Sequence, residues 1–96
     1  MLTGKQRSYL KSLAMQLDAA VFIGRAELSD NVIAEMDNYL EAHELLKVKL
    51  QEGCLLDPKA AANEVAERLG AEFVQAIGRK FVLYRPAKEK VIILPR

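Results

Sequence analysis

In this 96-residue sequence, an arginine directly follows a glycine at a predicted turn, a combination that could bind a phosphate group. Gly24 and Arg25 follow a short apolar run and lead into Ser29, a favoured helix N-cap. Backbone N–H groups at the start of a helix bind phosphate readily, and an arginine adds a charged donor. Spacing alone leaves two interpretations open, a phosphate-binding loop or a strand end followed by a solvated arginine.

A second group of cations follows in the rest of the chain: Lys47, Lys49, Arg79, Lys80 and Arg85. Lys47 and Lys49 alternate with leucine and valine, which predicts a half-buried strand with both lysines on its wet face. Arg79 and Lys80 fall at the tip of a predicted hairpin, and we expect Tyr84 to supply aromatic surface nearby. Edge lysines also block pairing between the strands of different molecules, so this second interpretation stays open.

The N-terminal segment adds Lys5, Arg7 and Lys11 to these cations. Thr3 and Gln6 have the spacing of a capping box, which predicts a helix start. Arg7 and Lys11 lie one turn apart on the flank of its apolar stripe and could reach a ligand while the stripe faces the core.

The residues that catalysis would need are scarce. His43, the only histidine, falls at a predicted helix end, where it commonly interacts with the last carbonyls. Cys54, the only cysteine, excludes an internal disulfide and a multi-cysteine zinc site. The chain contains neither a P-loop nor a dinucleotide fingerprint, and no pair of carboxylates stands out. We therefore expect no enzyme, no metal and no cofactor.

Composition favours one soluble domain over residues 1–96, with 51% hydrophobic and 28% charged residues. We expect a reduced, cytoplasmic protein, since no apolar run is long enough to span a membrane. The net charge of +1 conceals a segregation, because residues 26–44 carry six acids and no lysine or arginine, whereas both ends are basic. If the ends meet, one face is basic and fits a polyanion; solvated acidic helix faces explain part of this pattern equally well.

The hydrophobic periodicity predicts the order α-β-α-β-α-β-β in a two-layer α/β sandwich over one four-stranded mixed sheet. The predicted elements are a helix from Thr3, a buried strand at Ala20–Ile23, a helix from Ser29 to His43, a strand at Leu45–Leu50, a helix from Asp57 to Gly70, and strands at Glu72–Ile77 and Phe81–Arg85. Residues 91–94 are either a short edge strand or a tail packed on the core.

Four stretches resemble the CRM-domain family (chloroplast RNA splicing and ribosome maturation), and most closely its single-domain bacterial YhbY-like members. They are Leu2–Arg7, Phe22–Arg25, His43–Lys49 and Ile77–Pro86, in matching order and spacing across nearly the whole chain. The resemblance implies a fold like KH domains and the C-terminal domain of translation initiation factor three.

The resemblance also implies binding to structured ribosomal RNA and association with precursors of the large ribosomal subunit. Family members usually carry a G-x-x-G loop that clamps the nucleic-acid backbone. Gly24 and Arg25 match that loop, but Glu27 stands in place of the second glycine. The alternative is a protein-interaction module that docks a basic ribosomal protein through its acidic helix.

Overall fold

The elements of the computed structural model, which describes residues 2–95, follow the predicted order. They are α1 (Gly4–Ala14), β1 (Val21–Ile23), α2 (Asp30–His43), β2 (Leu45–Leu50), α3 (Pro58–Leu69), β3 (Glu72–Ile77) and β4 (Lys80–Tyr84). No helix in this part of the chain is both long and apolar enough to cross a bilayer.

Local capping sets the ends of the helices. Thr3 and Gln6 form the predicted capping box at the start of α1. Ser29 and Asp57 each accept a hydrogen bond from a backbone N–H in the first turn of α2 and α3. Gly70 ends α3 in the left-handed conformation, which glycine adopts without steric cost. Residues close in sequence therefore mark these boundaries.

The sheet has the strand order β1-β2-β4-β3, with β1 parallel to β2 and the other neighbours antiparallel. One face of the sheet packs against α2 and α3 through a core that includes Met36, Leu40, Leu46, Val65 and Phe81. This confirms the α/β class and the four-stranded mixed sheet.

The opposite face is covered only in part, by α1 and the C-terminal segment. Leu10 and Ala14 of α1 pack there with Val82 of β4. Ile92 and Leu94 join this cluster, so residues 91–94 are a packed tail and not a strand. The two ends of the chain therefore meet on one face of the sheet, while the acidic α2 lies on the other.

Two aromatic residues differ from expectation. Phe22 lies in a strand predicted to be buried, yet its side chain is 46% exposed because α1 packs on β2, β3 and β4 and leaves this face of β1 open. Tyr84, expected at the surface, is buried beside Leu10 and Ala14 in the cluster under α1. Phe22 is therefore the aromatic side chain that this face offers to solvent.

Glu44 connects α2 to the sheet through its backbone. Its φ of +68° is rare for a residue with a side chain and costs of order 1–3 kcal/mol. Its N–H donates to the carbonyl of Leu40 at 2.9 Å, and its carbonyl accepts from the N–H of Arg85 at 2.9 Å. The end of α2 is thereby attached to the end of β4.

The side chain of Glu44 is fully buried and binds the C-terminal segment. Its carboxylate accepts hydrogen bonds from the N–H groups of Ala87 at 2.7 Å, Val91 at 2.8 Å and Ile92 at 2.6 Å. Burial by itself would raise the pKa of this carboxyl, but these three bonds and the charge of Lys90 outweigh burial and hold the pKa below its ordinary value.

We predict that Glu44→Ala lowers the free energy of unfolding by about 2–4 kcal/mol, because buried N–H groups lose their acceptor. Urea denaturation measures this change. Glu35→Ala, on the exposed side of α2, is the matched control and should stay within about 0.5 kcal/mol of the parent protein. Equal destabilisation by the two variants would contradict a structural role for the carboxylate.

The same carboxyl predicts a loss of stability in acid. Because the pKa of Glu44 is lower in the folded chain, the unfolded chain takes up its proton first as the pH falls. Its contribution is complete above about pH 4.3, the ordinary pKa of glutamate, and is lost as the pH falls through the folded value. Glu44→Gln should therefore be less stable than the parent at neutral pH, by a margin that narrows on acidification. A constant margin in urea titrations across this range would refute the assignment.

Candidate functional site

One end of the sheet brings together the turn at Gly24, the end of β2 and the β3–β4 turn. The N–H of Gln51 donates to the carbonyl of Ile23 at 2.8 Å, and the N–H of Leu50 donates to the carbonyl of Arg79 at 2.7 Å. The end of β2 therefore holds the Gly24 loop on one side and the β3–β4 turn on the other.

Arg25 and Arg79 both rest on the segment 51–56 that follows β2. Arg25 lies across Gly53, so closely that a Cβ at this glycine would be 3.2 Å from the Cγ and Nε of the arginine. Arg79 donates from Nη2 to the carbonyl of Cys54 at 2.7 Å. Two cations predicted from separate motifs thus share one support, and both side chains remain exposed.

The Gly24 loop differs from a G-x-x-G loop in its backbone as well as in its sequence. The N–H of Glu27 donates to the carbonyl of Gly24 at 3.0 Å, which closes a turn. Glu27 has a φ of +54°, whereas Gly24 does not need a positive φ and has room for a Cβ. The position at which glycine would relieve strain is therefore occupied by a glutamate.

A row of four exposed side chains crosses the uncovered part of the sheet, one from each strand. Cα pairing places Phe22 beside Lys49, Lys49 beside Lys80 and Lys80 beside Ile77. We call these four residues the open row. A cavity of about 250 Å³ adjoins the row and is lined by Met15, Lys47, Gln75, Ile77, Lys80 and Val82.

Lys80 has a different position from the one predicted. The β3–β4 turn consists of Gly78 and Arg79 alone, with Gly78 at φ +61°, and Lys80 is the first residue of β4. A two-residue turn is the tightest hairpin connection, and it places the following residue in register with the partner strand. Lys80 therefore faces outward from the sheet beside Lys49.

Arg7, Lys11 and Lys59 form a further group of cations, which line a groove of about 520 Å³ beside β3. Arg7 uses Nε to hold the carbonyl of Phe73 at 3.2 Å. Lys59 was not among the predicted site residues. Its one signal is its place in the first turn of α3, where a cation is unfavourable for the helix dipole and serves no purpose within the helix.

Three predicted site residues belong neither to the open row nor to the turns at this end of the sheet. Lys47 donates its ammonium to the carbonyls of Ala14 at 3.1 Å and Leu17 at 3.0 Å, beyond the end of α1. Arg85 follows β4 at the opposite end, where it donates to the Asp37 carboxylate at 2.7 Å. Lys5 is exposed in the first turn of α1, far along the helix from the open row.

The acidic segment of residues 26–44 is partly neutralised. Asp37 and Glu41 both face the guanidinium of Arg85, at 2.7 Å and 3.7 Å, and Glu44 is buried. The acids left without these contacts are Glu27, Asp30 and Glu35. Burial of Glu44 and the shared contact with Arg85 therefore reduce the acidic charge that this segment exposes.

The features that could serve catalysis are structural. His43 lies against Tyr39, with ring centroids 4.3 Å apart, at the end of α2. Cys54 is a buried free thiol in the core beneath α3. Among residues 2–95, no three His, Cys, Asp or Glu side chains are grouped to hold a metal ion.

Another cavity, of about 650 Å³, lies elsewhere, between α1 and the C-terminal segment. Its lining includes Leu2, Ile92, Leu94 and the acid Glu72, with Lys90 as its cation. This cavity has one acid and one lysine in its lining and lies away from the arginines and lysines grouped at the other end of the sheet.

Comparison with known proteins confirms the resemblance seen in the sequence. Residues 2–85 match the model of the CRS1/YhbY (CRM) domain. The chain is 40% identical to an RNA-binding protein of Haemophilus influenzae, over 99% of this chain and 96% of that protein. It is 38% identical to YqeI of Bacillus subtilis, named as a probable RNA-binding protein, over 99% of this chain and 100% of YqeI.

A solved structure has the same fold. The solution structure of a hypothetical Staphylococcus aureus protein, proposed to bind RNA, superposes with a TM-score of 0.84 at 42% identity. The match covers 99% of this chain and all of that one.

The two lysines of β2 should respond differently to the same substitution. Lys47→Met removes a cation that holds the carbonyls at the end of α1, so we predict a loss of about 1–2 kcal/mol in unfolding free energy. Lys49→Met removes only a charge that opposes Lys80, and should change stability by less than about 0.5 kcal/mol. Thermal unfolding of both variants tests this pair. The prediction is wrong if Lys49→Met is the more damaging change.

Proposed function

Because the chain belongs to the CRS1/YhbY (CRM) domain family, we propose that it binds structured ribosomal RNA in precursors of the large ribosomal subunit. Binding, and not catalysis, is what the names of the family's members describe, as expected from the sequence. The observation that carries the proposal is the grouping of Arg25, Lys49, Arg79 and Lys80 at one end of the sheet, beside a backbone turn.

The proposed contacts are to phosphate. Arg25 and Arg79 are supported from below by the segment 51–56, so part of the entropy cost of ordering two long side chains is already met before RNA binds. Guanidinium groups suit phosphate because their donors lie in one rigid plane. Contacts of this kind fix position and carry no base sequence, which fits recognition of RNA shape.

The groove of Arg7, Lys11 and Lys59 extends the proposed interface along β3. Its cations lie on the side of Ile77, next to Lys80. A helical RNA presents phosphates along its whole length, so separated cation groups on one side of a protein can bind one molecule. Lys47 and Arg85, predicted as RNA contacts, contribute here by holding the fold.

A second candidate function is the docking of a basic ribosomal protein by α2. Glu35 and Asp30 are exposed on that helix and support this possibility. The pairing of Asp37 and Glu41 with the single guanidinium of Arg85 weakens the acidic charge of this helix and counts against it. We propose the cytoplasm as the location, in keeping with the free thiol of Cys54.

We predict that the double variant Arg25→Gln/Arg79→Gln weakens binding to large-subunit RNA fragments. Each lost phosphate contact should also flatten the slope of log affinity against log salt by about 0.7–0.9. Fluorescence anisotropy at several salt concentrations measures both effects. Arg68→Gln is the matched control, because Arg68 is exposed on α3 and pairs with Glu64.

The possible outcomes separate the two functions. Weakening by the control of half the double variant's loss in log affinity, which is its share of the charge removed, would mean that only net charge matters and would overturn the site. The docking function would be favoured by two results together. Wild-type protein would bind no RNA at any salt concentration, and a charge-reversed Glu35 variant would no longer associate with ribosomal particles.

Glu27 gives a prediction of opposite sign. Glu27→Gly removes a negative charge from the proposed phosphate site and relieves a left-handed conformation that costs about 1–2 kcal/mol. The extra freedom of glycine in the unfolded chain offsets about 0.4–1 kcal/mol of this gain. We therefore expect almost unchanged stability and tighter RNA binding, measured by denaturation and anisotropy.

Glu27→Asn is the control for charge, because asparagine tolerates the left-handed region and keeps a side chain. Tighter binding by both variants would assign the effect to charge, and tighter binding by glycine alone would assign it to close approach of the backbone. Weaker binding by both would show that Glu27 contributes to binding.

A further inference from the structure

The open row combines like charges in a way that the folded chain alone does not compensate. The N–H of Leu50 donates to the carbonyl of Arg79, so the next pair, Lys49 and Lys80, occupies a non-hydrogen-bonded position. Side chains approach each other most closely at such positions, and like charges directly opposite are destabilising.

Neither ammonium has a partner within the described chain. Among residues 2–95, Lys49 and Lys80 make no ion pair and no side-chain hydrogen bond, in contrast to Lys47 one row away. No acid belongs to the row or lines the cavity beside it. An anion placed between the two ammonium groups would remove the repulsion, and its charge would be complementary to both.

Apolar side chains flank this cation pair on both sides. Phe22 is 46% exposed, Ile77 is 68% exposed, and Met15, beside Ile77, is 79% exposed. Single exposed apolar residues are ordinary on protein surfaces. Here they stand at the two ends of a pair of cations along one line, and one of them is aromatic. A ligand that suits the row must therefore have negatively charged groups directly next to flat apolar groups.

Unpaired nucleotides have this chemistry, because each joins a phosphate to a base. We infer that the open row binds a short single-stranded segment of the RNA, with a base against Phe22 and phosphates at Lys49 and Lys80. This inference rests on the proposed function and names the part of the RNA that the sheet face takes. Paired RNA does not suit the row, because its bases are already stacked and only its phosphates and edges are accessible.

The dimensions and position of the row support a small number of nucleotides. Three strand spacings of about 4.8 Å give a row of about 14 Å, and four-stranded sheets elsewhere display two or three unstacked bases. Phe22 precedes Gly24 and Arg25 by only two and three residues, so the row continues directly into the proposed phosphate site. A junction between paired and unpaired RNA would therefore fit both surfaces at once.

The test uses one RNA hairpin in three forms: blunt, extended by a short run of unpaired uridines, and extended by the same number of abasic nucleotides. Each is titrated by anisotropy against the full chain, Phe22→Leu, and Lys49→Gln/Lys80→Gln. Phe22→Leu keeps apolar bulk and removes the ring. Because Phe22 is exposed, we expect the variant to fold normally. Arg68→Gln again controls for general effects.

We expect the uridine extension to tighten wild-type binding by about tenfold, and Phe22→Leu to abolish that gain while it binds the blunt hairpin as before. The abasic extension should give a smaller gain that depends on Lys49 and Lys80. An extension that adds nothing, while the blunt hairpin still binds through Arg25, would overturn the inference and leave the proposed function intact. Failure of every RNA to bind would overturn both. If Phe22→Leu binds every RNA as wild type does but no longer associates with ribosomal particles, the inference is wrong and the row binds a protein partner instead.

Discussion

The carboxylate of Glu44 is buried, ionised and bound by three backbone N–H groups, and its geometry determines which end of the sheet can be a ligand site. A buried charge is tolerated only where hydrogen bonds replace its water. Ala87, Val91 and Ile92 provide them, so the C-terminal segment must fold back over the sheet at this end. That segment and α1 then cover the adjoining half of the face. Neither element reaches the other half of the face, and the open row lies there.

The cations divide according to this geometry. Near the closed end, Arg85 binds Asp37 and the carbonyl of Leu69 at 2.9 Å, and Lys47 binds the end of α1. These contacts hold helices in place, and a ligand that recruited either side chain would have to compete with them. At the open end, Lys49 and Lys80 lack such partners in the described chain. Charge count alone cannot make this distinction, because it depends on what each ammonium or guanidinium already contacts.

Local signals predicted the elements well and the burial of individual side chains less well, for a physical reason. The capping box of Thr3, the Asp57 cap and the alternation in β2 act within a few residues, so the helix starts and the bounds of β2 were correct. Burial of Glu44 and exposure of Phe22 depend on where α1 and the C-terminal segment lie. Those placements join residues more than forty positions apart, as the bond from Val91 to Glu44 does, and periodicity carries no information about them.

The loop at Glu27 and the open row are best understood together. A glutamate in the left-handed region costs conformational energy and places negative charge where the proposed RNA phosphate approaches. A loop weakened in this way contributes less to affinity, so another surface must contribute more if the chain is to bind RNA as tightly as a member with the usual glycine. The uncompensated pair of Lys49 and Lys80 beside Phe22 is the surface that this chain has available. In the proposed complex, the side chains of the sheet contribute more of the affinity, and the backbone of the loop contributes less, than in a member with the usual glycine.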